Sequence, residues 1–157
     1  MTMQMIRRFL ALISGMAVGA VLMMTVMPLR MNDTWYLVDR TAYSGGRNPQ
    51  PDDLVIVENT VFTEAGEEGR LVGRVFGAEG DRVQIEGGRL KINGADAMDR
   101  IPEIAEFPED MTTVIVMEDH LFVLSEDVRG LDSRSEAVDQ VNLDDVWGRV
   151  VYTRKEN

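Results

Sequence analysis

The sequence contains no cysteine and only one histidine, His120, among its 157 residues. The lack of cysteine excludes a disulfide framework, a thiol nucleophile and any thiolate metal site. A single imidazole also excludes a metal centre built from several histidines of one chain. We therefore expect this protein to bind neither a cofactor nor a metal ion.

Positive charge is also scarce, since 16 Lys and Arg residues stand against 27 Asp and Glu residues. Only two of the basic residues are lysines, Lys91 and Lys155. Non-specific nucleic-acid binding requires a basic face that displaces counterions from the phosphates. The acidic composition therefore predicts that nucleic acid is not a partner.

The charge is distributed unevenly along the chain. Residues 1–30 carry +3 of the net −11, so the remaining residues carry −14. Residues 9–28 form a run of twenty uncharged, mostly apolar residues. At about 1.5 Å per residue, such a helix crosses a hydrocarbon core of about 30 Å. We predict a cytoplasmic N-terminus over residues 1–8, a transmembrane helix over 9–28 and an extracytoplasmic domain over 31–157.

A cleaved secretory signal peptide is the competing interpretation of the N-terminal segment. The run is longer than the usual apolar region of about 7–15 residues, and no small-residue cleavage site follows it. An uncleaved single-pass anchor is therefore favoured. Because Arg7, Arg8 and the terminal amine outweigh Arg30, the N-terminus is predicted to stay in the cytoplasm. The acidic domain then lies on the periplasmic, or extracytoplasmic, side of the plasma membrane, and the lipid bilayer is the first expected partner.

After Pro28 the sequence indicates short strands separated by turn residues. Val, Ile, Leu and aromatic residues are concentrated in eight segments, some with clear alternation of apolar and polar positions. The Gly87-Gly88 and Asn93-Gly94 pairs predict tight turns. Segments 95–112 and 125–144 have no strand pattern. The first is predicted to be an exposed loop or a short helix, and the second a loop with a short helical turn. We expect one all-β domain with strands at Trp35–Val38, Leu54–Glu58, Leu71–Phe76, Arg82–Glu86, Arg89–Ile92, Thr113–Met117, Leu121–Leu124 and Val146–Thr153.

Three stretches of this domain match the motifs of one enzyme family. Residues 73–94 read GRVFGAEGDRVQIEGGRLKING, similar to K-R-V-x-G-x-P-G-D-x-V-x-I followed by G-x-L-x-I-N-G. Residues 120–134 begin HLFVL and end LDSR, similar to G-H-x-F-V-L and D-S-R, and residues 53–57 read DLVIV. In order and spacing these motifs resemble the type I signal peptidases of the S26 family, which are membrane-anchored serine proteases that remove leader peptides. The resemblance spans about residues 9–152 and implies a signal-peptidase-like β domain.

The resemblance implies a serine nucleophile, and it assigns that position to Ser44. In the family, the serine lies nine residues before the aspartate that begins the following strand, which is Asp53 here. The family sequence S-M-x-P is replaced by Ser44-Gly45-Gly46-Arg47, and Ala42 stands where a hydroxyl donor often lies. Ser44-Gly45-Gly46 also has the composition of a plain turn. Ser44 is therefore either the equivalent of the nucleophile or a turn residue.

The general base of the family is a neutral lysine, and its position in this sequence is Gly73. Glycine has no group that accepts a proton, and the next residue, Arg74, has a guanidinium that does not deprotonate usefully. His120 aligns with a histidine that is not catalytic in the family, and the serine that supports the lysine aligns with Gly130. Asp132 and Arg134 are retained, and in relatives they form a structural pair that braces the site.

These differences predict a signal-peptidase-like membrane protein without peptidase activity. Such a protein would be a binding or structural subunit of a membrane or secretion-linked complex. Other membrane proteins are the expected partners, and the family's groove would still accept an extended peptide by strand addition. The alternative is an active membrane-anchored serine endopeptidase that uses Ser44 with a divergent base. The sequence leaves both possibilities open.

Overall fold

The computed structural model describes residues 25–31, 33–61, 69–101, 106–125, 132–135 and 138–155. Within these ranges there are two 3₁₀ turns, Met98–Arg100 and Leu143–Asp145, and eleven strands. The strands are β1 (Val26–Met31), β2 (Thr34–Asp39), β3 (Leu54–Glu58), β4 (Arg70–Gly77), β5 (Arg82–Glu86), β6 (Arg89–Ile92), β7 (Ala95–Asp96), β8 (Met111–Ile115), β9 (His120–Ser125), β10 (Val141–Asn142) and β11 (Val146–Lys155).

The strands form two antiparallel sheets. The larger sheet has the order β1-β2-β11-β3-β4-β9-β10, and the smaller sheet has the order β7-β6-β5-β8. Because β4 has β3 on one side and β9 on the other, it lies inside the larger sheet. The smaller sheet has β8 at one edge, paired with β5.

The β5–β6 hairpin illustrates how local sequence specifies these elements. Val83 and Ile85 are buried, whereas the residues between and beside them are more exposed, so one face of the strand packs on the core. Gly87 and Gly88 have φ of 57° and 69°. Two consecutive positive φ angles match the right-handed twist of the flanking strands, and glycine adopts them without steric cost. The predicted turn at this pair is confirmed.

The core consists of three groups of buried side chains. One lies against the smaller sheet and includes Phe76, Leu90 and Phe122. The second, here called the β4–β9 cluster, contains Val55, Val57, Leu71, Val75, Leu121, Val123 and Val141. The third contains Met31, Tyr36, Val38 and Ile56. The β4–β9 cluster matters most for function, because the Gly73 position of β4 faces it.

The predicted all-β class is confirmed, and the predicted bounds of β3, β5 and β6 agree with the structure. The segment predicted as a strand over Thr113–Met117 instead forms β8 over Met111–Ile115. The strands β7 and β10, in segments predicted to be loops, have only two residues each. Alternation cannot be recognised over so short a length.

The N-terminal prediction falls mostly outside the described residues. Residues 1–24, which include most of the predicted transmembrane helix, are not among them. The edge strand β1 takes in Val26–Pro28, the last three positions of the predicted span, so strand pairing begins before residue 31. Pro28 has no backbone N–H, and an edge strand tolerates it because the N–H groups on the outer side of the strand need no partner in the sheet. Among the described residues, no helix is long and apolar enough to span a bilayer.

Candidate active site

Gly73 lies in the interior of the larger sheet, opposite Val55 of β3 and Ser125 of β9. A Cβ atom added to Gly73 would overlap Val123 Cγ1 and would lie 3.0 Å from the carbonyl oxygen of Leu124. Carbon atoms in favourable contact are about 3.5–4.0 Å apart. Val123 is fully buried and β-branched, so it cannot easily move aside. The space that a base side chain would need at position 73 is therefore filled by the neighbouring strand.

Ser44 lies in an exposed turn that precedes β3. Its backbone N–H and its hydroxyl both donate to the carbonyl oxygen of Thr41, at 3.0 and 2.8 Å. The Arg47 guanidinium donates to the carbonyl oxygens of Ser44 and Thr41, each at 3.2 Å. Gly45 and Gly46, with φ of 73° and 78°, complete the turn. The Ser44 hydroxyl therefore stabilises its own turn in this structure.

Tyr43 attaches this turn to the sheet, a role that sequence reasoning missed. Its ring packs against the β4–β9 cluster, and its hydroxyl donates to Asp53 Oδ2 at 3.0 Å. The same oxygen accepts the backbone N–H of Gln50 at 3.0 Å, and Arg149 Nε lies 3.3 Å from Asp53 Oδ1. Asp53 had been recognised from its motif. The signal for this role was the tyrosine itself, next to Ser44. A tyrosine ring that packs on the core usually has one hydrogen-bond partner for its hydroxyl.

Burial raises the pKa of Tyr43 well above its ordinary value, and the hydrogen bond to Asp53 adds to the rise. The folded state therefore holds a phenol proton that the unfolded state releases near pH 10. Stability from this group is complete below pH 10 and is lost as the pH rises above it.

We expect Tyr43→Phe to remove this alkaline dependence. In urea unfolding of the full chain between pH 9 and 11, the native free energy of unfolding should fall with a slope approaching one released proton, and the variant should show a flatter profile. Tyr152→Phe is the matched control, because Tyr152 is exposed and should keep the native slope. Equal slopes in all three proteins would contradict a folded-state hydrogen bond between Tyr43 and Asp53.

Asp132 and Arg134 form a buried ion pair beside Gly73. Their side chains are 1% and 17% exposed. Arg134 Nε donates to Asp132 Oδ1 at 2.8 Å, and Arg134 Nη2 donates to Oδ2 at 2.7 Å. Asp132 Oδ2 also accepts the backbone N–H of Ser125 at 3.0 Å. Since Ser125 is the register partner of Gly73, the pair braces the strand directly beside the base position.

Ser133 is a second residue that sequence reasoning missed. Its hydroxyl accepts the N–H of Val123 at 3.0 Å, and its own N–H donates to the carbonyl oxygen of Val123 at 3.0 Å. The side chain is buried. Ser133 therefore holds in place the residue that fills the space at Gly73. Its position between the two retained charges of the D-S-R motif was the signal in the sequence.

The remaining basic candidates lie elsewhere. His120 begins β9, five residues from Ser125 and so about 17 Å along the strand, and its Nδ1 lies 2.7 Å from the carbonyl oxygen of Glu118. Lys91 pairs with Glu86 on the smaller sheet, and Lys155 ends β11. Gly130 lies outside the described residues.

The described geometry does not assemble a serine–lysine pair. A general base must approach the hydroxyl proton to within about 2.6–3.2 Å. Within the described ranges, the structure gives the Ser44 hydroxyl a backbone carbonyl as its hydrogen-bond partner and no basic side chain. The same ranges contain no group of three or more His, Cys, Asp or Glu residues that could hold a metal ion.

Comparison with known proteins gives a family match and several similar solved structures. A family model described as "Signal peptidase, peptidase S26" matches residues 3–153. One match is a crystal structure of a signal peptidase I from Enterococcus faecalis V583, which is 23% identical in sequence to this chain and has a TM-score of 0.50. The match covers 64% of this chain and 95% of the signal peptidase chain. At this identity the likeness concerns the fold. No curated protein matches the sequence.

Proposed function

Because this chain belongs to the signal peptidase (peptidase S26) family, we propose that it is a member without peptidase activity, acting as a binding or structural subunit of a membrane or secretion-linked complex. The observation that carries the proposal is the filled space at Gly73, where Val123 and the backbone of Leu124 leave no room for a side chain. If Gly73 bordered an open space, a basic side chain from another part of the chain could occupy the place of the missing lysine. Because buried Val123 fills that place, the sheet is packed for a site without a base.

The energetic argument supports the same conclusion. General acid–base catalysis contributes about 10²–10⁴-fold to a rate, and the members of a catalytic pair act as a unit. Ser44 donates to Thr41, and position 73 offers no acceptor, so both halves of the family's pair have structural roles here. The Asp132–Arg134 pair and Ser133 stabilise this arrangement without needing a reaction.

One exposed face of the larger sheet supports a position at the membrane. Trp35, Leu37 and Tyr152 are exposed on β2 and β11, and they line a groove of about 840 Å³ together with Arg154 and Lys155. Aromatic and basic side chains together are characteristic of the membrane–water interface. This face adjoins β1, into which the uncharged run of residues 9–28 leads. We propose that the face meets the bilayer on the extracytoplasmic side.

The activity part of the proposal is tested with a leader-peptide substrate and the full chain in detergent. We expect no cleavage above the uncatalysed rate from the native protein or from Ser44→Ala. An active signal peptidase serves as the positive control for the substrate, and Thr112→Ala, which removes another exposed hydroxyl, controls for the substitution. Cleavage by the native chain that Ser44→Ala abolishes would overturn the proposal and establish the alternative, a serine endopeptidase with a divergent base.

The partner part of the proposal is tested separately, by purifying the tagged full chain from native membranes and identifying the proteins retained. We expect one or more membrane proteins in a fixed ratio to the chain. A variant with Trp35→Ala and Tyr152→Ala tests whether the aromatic face contributes to membrane retention. Recovery of the chain alone under mild detergent would count against a subunit role.

A further inference from the structure

The strand β8 forms an unusually uncharged edge of the smaller sheet. Residues 111–117 read MTTVIVM, seven residues without a charge. Among the described strands, β8 pairs with β5, and its other side faces outward. Ile115 and Met117 are 54% and 49% exposed. Exposed edge strands are usually protected from pairing by charged residues or proline, and this segment has neither.

The side chain of Gln140 occupies part of this edge in the manner of a neighbouring strand. Its Oε1 accepts the N–H of Met117 at 2.7 Å, and its Nε2 donates to the carbonyl oxygen of Ile115 at 3.1 Å. The intervening residue, Val116, makes its backbone bonds inward, to Asp81 and Gly80. The Ile115 carbonyl and the Met117 N–H therefore point outward, and Gln140 makes the two bonds that an added strand would make there. The Met117 carbonyl oxygen accepts the N–H of His120 instead.

The charges at both ends of the segment select the kind of strand that fits. Glu109 and Asp110 precede it, and Glu118 and Asp119 follow it. The five residues of β8 span about 17 Å at about 3.3 Å per residue, and an acidic pair lies beyond each end. A second copy of the chain would place acid against acid in either strand direction, which is unfavourable. An extended segment with uncharged, β-prone residues between basic ends would pair backbone with backbone and base with acid.

We propose that β8 is a strand-addition site for an extended segment of a partner protein, with about seven uncharged residues flanked by Lys or Arg, which displaces the Gln140 amide from the edge. Backbone hydrogen bonds supply the affinity in this mode of recognition, and the flanking charges supply the selectivity. The surface lies on the smaller sheet and involves neither Ser44 nor Gly73. It is therefore independent of whether the chain has peptidase activity.

The test uses the full chain in detergent and a fluorescent peptide with alternating Thr and Val between two pairs of lysines. We expect saturable binding by fluorescence anisotropy. The matched control has the same residues with N-methyl groups on alternate backbone nitrogens, which keeps the charge and blocks one hydrogen-bonding edge. It should bind about tenfold more weakly or worse, as should a peptide with glutamates in place of the lysines. Gln140→Ala should bind the parent peptide several-fold more tightly, because no amide has to be displaced.

A photo-crosslinking group on the peptide identifies the surface. We expect crosslinks to residues 111–117. Equal affinity for the N-methylated peptide would show attraction by charge alone and would overturn the proposal. So would crosslinks confined to the Ser44 turn, or self-association of Gln140→Ala in sedimentation without peptide binding. Because no variant here alters the Ser44–Gly73 region, failure of this test is separate from failure of the proposed function.

Discussion

Asp132→Ala should lower the free energy of unfolding by about 3–5 kcal/mol, the usual cost of removing one member of a buried ion pair. The Arg134 guanidinium is 17% exposed and would lose the carboxylate that accepts two of its hydrogen bonds. The backbone N–H of Ser125 would lose its acceptor as well. Loss of the pair should therefore loosen β9 beside Gly73.

Urea unfolding of the full chain measures this effect as a shift in the midpoint at unchanged slope. Asp33→Asn is the control, because the Arg30–Asp33 pair has side chains 51% and 87% exposed and such pairs contribute about 0.2–1 kcal/mol. Asparagine also tolerates the φ of 58° at this position. A second variant, Asp132→Asn, retains the size of the side chain and separates the charge from the packing. If Asp132→Asn and Asp33→Asn had equal effects, the Asp132–Arg134 ion pair would not be a structural brace.

Gly73→Lys, which restores the family's base in the sequence, should fail to produce leader-peptide cleavage and should destabilise the fold. Overpacking a close-packed interior costs about 1–3 kcal/mol, and a lysine directed into the β4–β9 cluster adds the cost of an unpaired buried amine. The clash arises at the first side-chain atom, since even a Cβ overlaps Val123 Cγ1. Gly73→Ala should therefore show much of the packing cost without the charge.

A double-mutant cycle tests whether contact with Val123 causes the destabilisation expected at position 73. Val123→Ala removes the atom that the new Cβ would meet, so Gly73→Ala combined with Val123→Ala should cost less than the sum of the single changes. A coupling of about 0.5–3 kcal/mol is typical of residues in contact. Gly77→Ala is an informative comparison, because a Cβ there would meet other side chains, those of Val83 and Val116. Cleavage gained by Gly73→Lys alone would show that the sheet adapts to a base, and would contradict the closed site.

Much of the fold could be predicted because it depends on local patterns. Alternating burial along β5 and positive φ at Gly87 and Gly88 are properties of neighbouring residues. The edge strand β1 was missed for a different reason. Its residues continue the apolar run and include Pro28, so no local signal marks the change from helix pattern to strand.

The candidate site was only partly predictable. The positions of Ser44, Gly73, Asp132 and Arg134 followed from motif spacing. The Asp132–Arg134 pair was expected too. The supporting contacts around the site were not, because Tyr43 meets Asp53, and Ser133 meets Val123, across a change of direction in the chain. The Gln140 contacts with β8 span more than twenty residues of sequence. No spacing rule specifies which side chain reaches a strand edge from that distance.

The sequence by itself determined that position 73 carries no base, that the chain has a charge-free run of residues 9–28 and that the remaining residues are acidic and rich in strands. Only the tertiary structure decided whether the missing side chain at Gly73 leaves an open space or a closed one. Gly73 and Val123 are fifty residues apart, and they meet because β4 and β9 pair in one register. That register is selected by the burial of whole strand faces, and a shift of one residue would turn Val123 to the opposite face of the sheet.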